Sequence, residues 1–303
     1  MTKFDSARSM RVTATFGARF ELCESDDHAA PVVPARAKGK RLRPVTGDWV
    51  LARPLPGETD WQVESVKTRE NELARTDSRG RREILAANVT LMIVVVSSRP
   101  QPDWFVADRY LAAAELMPSR AAIVWNKSDL GEMPDAVRTY QAIGYPVIET
   151  SIVSAAGIDA LRELMQGESS IFVGLSGVGK SSLINALSGS DLQKTSAISS
   201  ANDEGRHTTV AARLLNFRNG VTVIDSPGVR DFAPALIEPA RVAQGFREIA
   251  EAADHCRFAD CTHRAEPNCA VKAGVESGSI DERRYRSYLR LAQLNRQLAS
   301  QRF

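Results

Sequence analysis

The chain has 303 residues, a net charge of only +2 and 43% hydrophobic side chains, which is enough apolar mass for more than one core and predicts two or three domains. The balanced charge excludes a uniformly basic nucleic-acid coat, and the longest apolar runs, 91–96 and 121–125, fall far short of the ~20 residues of a membrane-spanning helix. No apolar core follows the charged start at Lys3 and Asp5, so a cytoplasmic protein without a membrane partner is expected, a monomer by default.

Residues 12–66 alternate short β-prone pieces, such as 11–16 and 48–51, with Pro and Gly turns, a pattern that predicts a small all-β barrel. The segment 25–39, rich in Asp, Ala, Pro and Lys, reads as a long mobile loop between its strands. Arg36, Lys38, Lys40, Arg41 and Arg43 follow one another with no acid among them, and Arg79, Arg81 and Arg82 form a second basic group. The N-terminal third is therefore expected to hold phosphate. Beyond residue 87 the texture changes. Apolar runs at 91–96, 121–125, 146–148, 170–173 and 221–224 alternate with helical spacing at 104–117, 135–143, 157–165 and 180–187, which predicts a parallel α/β sheet with crossover helices. After 234 a helical stretch, a Cys/His cluster and a charged helix over 281–302 complete the chain. The expected division is a barrel at 1–82, an α/β domain at 83–235 and a helical metal-binding domain at 236–303.

Gly174, Leu175, Ser176, Gly177, Val178, Gly179, Lys180 and Ser181 match the phosphate-loop pattern G-x-x-x-x-G-K-[ST], with Ser182 continuing it into a helix-forming run. Such a loop needs glycines because its backbone amides must turn inward around phosphates. Lys180 would reach the β- and γ-phosphates, and the Ser181 hydroxyl would ligate Mg²⁺ at the helix N-terminus. Asp225 ends a further predicted strand and heads Asp225-Ser-Pro-Gly228. That placement suits a carboxylate holding Mg²⁺ through water and a Gly228 amide on the γ-phosphate. Between them Thr208 and Thr209 both qualify as the hydroxyl that closes over Mg²⁺.

Asn126, Lys127, Ser128 and Asp129 follow the predicted strand 121–125, at the sheet edge where ligands bind. A carboxylate at Asp129 accepts both N1–H and N2–H of guanine, a donor pair that adenine lacks, so GTP and GDP are the implied nucleotides. Lys127 would lie over the base, Asn126 would tie this loop to the phosphate loop, and Ser151 or Ile152 would offer a backbone amide to guanine O6. The order is unusual, because the base-reading tetrapeptide precedes the phosphate loop. A circular permutation of a GTPase sheet accounts for it, and it runs the chain from the Asp225 switch directly into the C-terminal region.

Cys256, Cys261, His263 and Cys269 bring three thiols and an imidazole together between turn-forming residues. Four protein ligands suit one tetrahedral Zn²⁺ in a structural role. His255 is a competing ligand, made awkward by its adjacency to Cys256, and Cys23 is a lone thiol.

With Gly47-Asp-Trp-Val50, Ala87-Asn88, the Asn126 and Gly174 motifs, Gly205-Arg-His-Thr-Thr209, Asp225-Ser-Pro-Gly-Val-Arg230 and this Cys/His cluster, the chain resembles the ribosome small-subunit-dependent GTPase A family over most of its length. The resemblance implies an OB-fold barrel, a circularly permuted GTPase domain and a zinc domain. It implies late maturation of the small ribosomal subunit, GTP hydrolysis stimulated by that subunit, factor release on hydrolysis, and rRNA contact by the barrel and zinc domain. Val229 stands where many GTPases carry a water-orienting glutamine. The family shares that replacement, and His207 is the implied substitute. Gly177 replaces the asparagine of potassium-activated GTPases, so no K⁺ requirement is expected. Two rival readings are an RNA-binding adaptor with a regulatory, weakly hydrolytic guanine site and a metabolic P-loop kinase, which Asp129 disfavours.

Overall fold

The computed structural model describes residues 6–76, 81–189, 212–225 and 239–300. Strands β1 (Arg8–Phe16), β2 (Arg19–Cys23), β3 (Val33–Ala37), β4 (Trp49–Pro54) and β5 (Trp61–Val66) pair in the order β1-β2-β3-β5-β4, and β4 pairs back onto β1. The result is a closed five-stranded, OB-like barrel, which leaves no free edge among these strands. Met10, Val12, Leu22, Val50 and Val63 fill its interior. The expected loop at 25–39 thus contains a strand, since β3 pairs antiparallel with β2 and parallel with β5. The basic run is also less free than its sequence implies, because Arg36 pairs with Glu58 at 2.7 Å and Lys38 with Glu64 at 2.7 Å. Cys23 is buried, and burial, reinforced by Asp26, pushes its thiol up to about 11.

A two-stranded ribbon, β6 (Glu72–Thr76) and β7 (Arg82–Ala87), leads into the α/β domain. There β8 (Leu91–Ser97), β9 (Arg120–Asn126), β10 (Val147–Thr150), β11 (Ser169–Val173), β12 (Arg213–Asn216) and β13 (Thr222–Asp225) take the order β10-β9-β8-β11-β13-β12. All pairs are parallel except β12 with β13, a strand the expectation of a parallel sheet did not include. Met92, Val94 and Val96 of β8 face one core with α1 (Trp104–Leu116) and α2 (Asp135–Ala142). Leu91, Ile93 and Val95 face the other, with α3 (Ile158–Leu164) and α4 (Lys180–Ser188). A strand covered on both faces has no polar side to show, which is why β8 reads as an unbroken apolar run. The chain runs outward through β8, β9 and β10, then returns to place β11 on the other side of β8. This reversal opens the crevice in which such sheets bind ligands.

β12 also pairs antiparallel with β1 at Ala14 and Arg213, so barrel and α/β sheet share one continuous sheet. A polar seam supports the join. Gly47, at φ +91°, lies so close to Ala87 that an added Cβ would stand 2.2 Å from its carbonyl oxygen. The Asn88 side chain donates to Gly47 O at 2.9 Å and Thr46 Oγ1 to Ala212 O at 2.9 Å. Asp48 is fully buried and receives both Nε and Nη2 of Arg69, at 2.7 and 2.8 Å. The Gly47-Asp48 and Ala87-Asn88 pairs are thus two sides of one contact.

The C-terminal region comprises a 3-10 segment, Pro239–Gly245, and helices α5 (Arg247–Ala253), α6 (Ala270–Ser277) and α7 (Glu282–Ser300) around Val242, Phe246, Ile249, Val271 and Leu291. Arg284 on α7 is wholly buried and bonds Asp108 on α1 at 2.8 Å and Glu248 on α5 at 2.7 Å. Burial alone would lower its proton affinity, but the Glu248 bonds and the charge of Asp108 more than reverse this and keep it cationic. Among the described residues no helix is long and apolar enough to cross a membrane.

Candidate nucleotide site and metal centre

The parallel strands β8, β9, β10, β11 and β13 end on one edge of the sheet, so Asn126, Thr150, Val173 and Asp225 all reach the crevice edge. The phosphate loop leaves β11 at Gly174, whose φ of +141° and approach to Val95 O, 2.3 Å from an added Cβ, exclude a side chain. It ends at Gly179, where α4 begins with no side-chain cap. Ser181 and Ser182 are exposed on that first turn, whose free amides make an anion seat. Lys180 is buried and curls back over the loop, donating to Gly174 O at 2.6 Å and Leu175 O at 2.8 Å.

The segment 126–129 meets this loop directly. Asn126 Nδ2 donates to Val178 O at 2.8 Å, and Lys127 Nζ donates to Gly177 O at 2.8 Å and Arg99 O at 2.6 Å. Thr150 Oγ1 donates to Asn126 Oδ1 at 2.9 Å, which fixes the amide so that its nitrogen faces the loop. Lys127 takes a left-handed conformation, φ +60°, from which Ser128, Asp129 and Leu130 form a 3-10 turn. The Ser151 hydroxyl donates to Asp129 Oδ1 and orients the carboxylate. The Ser151 amide, offered from sequence to guanine O6, is instead bonded to Ala156 O at 3.1 Å. That leaves Ile152, 40% exposed, as the candidate of the pair. Thr150 and Gly157, where an added Cβ would lie 1.9 Å from Glu149 O, support the site without belonging to any motif read in the sequence. His207, Thr208, Thr209 and Gly228 lie outside the described residues.

The metal-ligating atoms of Cys256, Cys261, His263 and Cys269 lie within 4.8 Å of one another. Cys256 Sγ stands 3.5 Å from His263 Nδ1 and 3.9 Å from Cys269 Sγ, and Cys269 Sγ is 3.6 Å from the same nitrogen. A tetrahedral zinc with Zn–S ~2.3 Å and Zn–N ~2.0 Å has edges of about 3.5–3.8 Å, so the donor set fits one such ion. Burial pushes the His263 imidazole toward its neutral, ligating form. His255 is exposed and outside the cluster. Around the knuckle, Tyr285 donates to His263 O at 2.6 Å and Tyr288 to Thr262 O at 2.8 Å. Glu266 accepts from the hydroxyl and amide of Thr262 and from the Arg264 amide, bonds that hold its carboxyl far below the usual range.

Residues 66–234 match the RsgA GTPase family model. A "Small ribosomal subunit biogenesis GTPase RsgA" of Azotobacter vinelandii is 37% identical over 284 residues, covering 91% of this chain and 82% of the relative. The protein of the same name from Neisseria gonorrhoeae is 38% identical, with 90% and 88% covered. The crystal structure of YjeQ from Thermotoga maritima superposes with a TM-score of 0.75 at 30% identity, covering 95% of this chain and 98% of that one. YloQ, described as a circularly permuted GTPase, gives 0.73 at 26% identity, with 98% of each chain covered. With its permuted motifs on one sheet edge and a family match spanning most of the α/β domain, the chain belongs to the RsgA GTPase family.

Proposed function

We propose that this protein binds GTP with Mg²⁺, docks on the small ribosomal subunit during its late maturation, and hydrolyses GTP there at a rate the subunit stimulates, so that hydrolysis triggers the protein's own release or that of another factor. The observation that carries the reading is the 2.8 Å bond from Asn126 to Val178 O, which joins the base-reading loop to the phosphate loop. Guanine would lie against Asp129 and under the Lys127 stem, with its O6 toward the Ile152 amide. Lys180 would exchange its bonds to Gly174 O and Leu175 O for the β- and γ-phosphates, and the Gly228 amide would meet the γ-phosphate. The Ser181 hydroxyl, Asp225 through water and one of Thr208 and Thr209 would hold Mg²⁺, which supplies positive charge against the phosphates. His207 would position the attacking water once the subunit orders its segment.

One zinc at Cys256, Cys261, His263 and Cys269 would be structural, since four protein ligands leave no open position. The barrel, which we assign to 1–82, and the zinc domain at 236–303 would contact rRNA on either side of the GTPase domain at 83–235. The relatives named for small-subunit biogenesis support this reading, as does the placement of Asn126, Lys127 and Lys180 around one loop. A cytoplasmic monomer is the state we assign.

The test is GTP hydrolysis with and without purified small ribosomal subunits. Stimulation of the wild type, lost in His207→Ala while GTP affinity is kept, is expected. Equal turnover with and without subunits would overturn the subunit-dependent reading, and undiminished stimulation in His207→Ala would remove that residue from the mechanism.

A further inference from the structure

The basic run 36–43 splits into two halves in three dimensions. Arg36 pairs with Glu58, and Lys38 pairs with Glu64, which Arg53 shares, on the barrel surface. Arg41 and Arg43 are exposed, and among the described residues no acidic partner reaches either guanidinium. Both line a cleft of about 900 Å³ that no sequence motif announces.

The cleft has walls from each part of the molecule. The barrel contributes Arg41, Arg43 and Lys67, the β6–β7 ribbon contributes Leu73 and Ile84, the end of α1 contributes Leu116 and Met117, and the C-terminal region contributes Arg241. Two further cations on its wall are already engaged. Arg69 and Arg82 both bond Glu72 at 2.7 Å, and Arg69 also holds the buried Asp48. Among the described residues the Lys67 ammonium bonds the Ser9 hydroxyl, at 2.7 Å, and the Arg241 guanidinium the Gln244 side chain, at 3.4 Å, and neither meets an acid. Among the described residues, four cations thus line the cleft against one acid outside any ion pair, Glu70. An apolar wall with a cationic rim is complementary to a chain that alternates phosphates with flat bases. Phosphates suit the rim, and bases stack on guanidinium planes and aliphatic surface.

We propose that this cleft is a seat for an unpaired stretch of RNA, its phosphates on Arg41, Arg43, Lys67 and Arg241 and its bases against the ribbon and α1. The inference rests on the rRNA-binding reading above and deepens it, because it assigns the contact to the cleft between domains rather than to the basic run as a whole. A strand held there touches barrel, GTPase domain and C-terminal region at once.

The experiment compares the wild type, Arg41→Ala/Arg43→Ala and Arg36→Ala/Lys38→Ala for binding of a ten-nucleotide oligouridine and for cosedimentation with small ribosomal subunits, across a salt series. All four side chains are on the surface, so the fold is preserved, and unchanged GTP affinity checks this. The cleft variant should bind the oligonucleotide at least about tenfold more weakly. Its dependence of log affinity on log salt should be shallower by about 1.4, the value for two lost single-strand phosphate contacts. The Arg36→Ala/Lys38→Ala variant should bind within about twofold of wild type, because both side chains lie outside the cleft lining and salt screens them from it. Equal losses in the two variants, no loss in either, or displacement of the oligonucleotide by a poly-glutamate peptide at equal charge concentration would each overturn the proposal. Failure of the wild type to cosediment with subunits while the oligonucleotide pattern holds would instead count against the ribosomal reading and leave the cleft assignment standing.

Discussion

At Gly179 a backbone φ of +100° coincides with an approach in which an added Cβ would stand 2.3 Å from Asn126 Nδ2. Both demands exclude a side chain, the first through strain and the second by wedging apart the two loops that define the site. Gly179→Ala should therefore weaken GTP binding by at least about tenfold. Gly167→Ala is the matched control, since its φ of +71° carries similar strain with nothing within 4 Å of the added Cβ. It should cost about 1 kcal/mol of stability and leave affinity alone. Equal losses of affinity measured by nucleotide titration would show that strain, not the approach to Asn126, governs the loop. The motif residues were legible because phosphate and guanine dictate residue types at fixed spacing. Thr150 and Gly157 were not, because a hydroxyl orienting an amide and a close backbone approach depend on neighbours brought in by the fold.

Among the elements, the strands covered on both faces and the crossover helices were legible from their apolar periods, as with β8 and α1. The strands missed include β3, β12 and the ribbon of β6 and β7. In β3 the sequence Val33–Ala37 carries a proline and an outward arginine, and its strand character comes from pairing with β2 and β5 rather than from local preference. Four-residue β12 is likewise defined by β13 and β1. The metal knuckle was legible from its ligands, whereas its bracing by Tyr285, Tyr288 and Glu266 was not. Since Cys256, Cys261 and Cys269 pack in the same cluster as Val271 of α6 and Tyr288 and Leu291 of α7, a metal held there would couple to the folding of these helices. Cys261→Ser should abolish zinc binding, lower Tm by several degrees and reduce helicity, while GTP affinity stays within about threefold because the knuckle bonds its own turn and α7 rather than the nucleotide loops. Calorimetry with metal analysis checks this, and an unchanged Tm on loss of zinc would show that the helices stand without it.

Across the whole molecule, one sheet passes from the α/β domain through β12 into the barrel, and the Gly47–Ala87 contact and the Asp48–Arg69 pair hold the crossing. Arg69→Ala would leave a fully buried carboxylate without its partner, at a cost of about 3–5 kcal/mol. Denaturant unfolding should register that loss, and a change below about 1 kcal/mol would mean that water or a rearranged partner satisfies Asp48. The shared sheet also gives permutation a mechanical sense. The barrel joins the GTPase sheet through β12 and the C-terminal helices pack on α1, with Arg284 tying α7 to α1 and α5. The central claim remains that segments at 126–129 and 174–181, reversed in chain order, embrace one guanine nucleotide. Displacement of a fluorescent GDP analogue by unlabelled GTP and by ATP tests it most directly. GTP should displace the analogue and ATP should not at equal concentration, with the preference for GTP lost in Asp129→Asn. Equal displacement by ATP, or a preference unaltered by Asp129→Asn, would contradict the account.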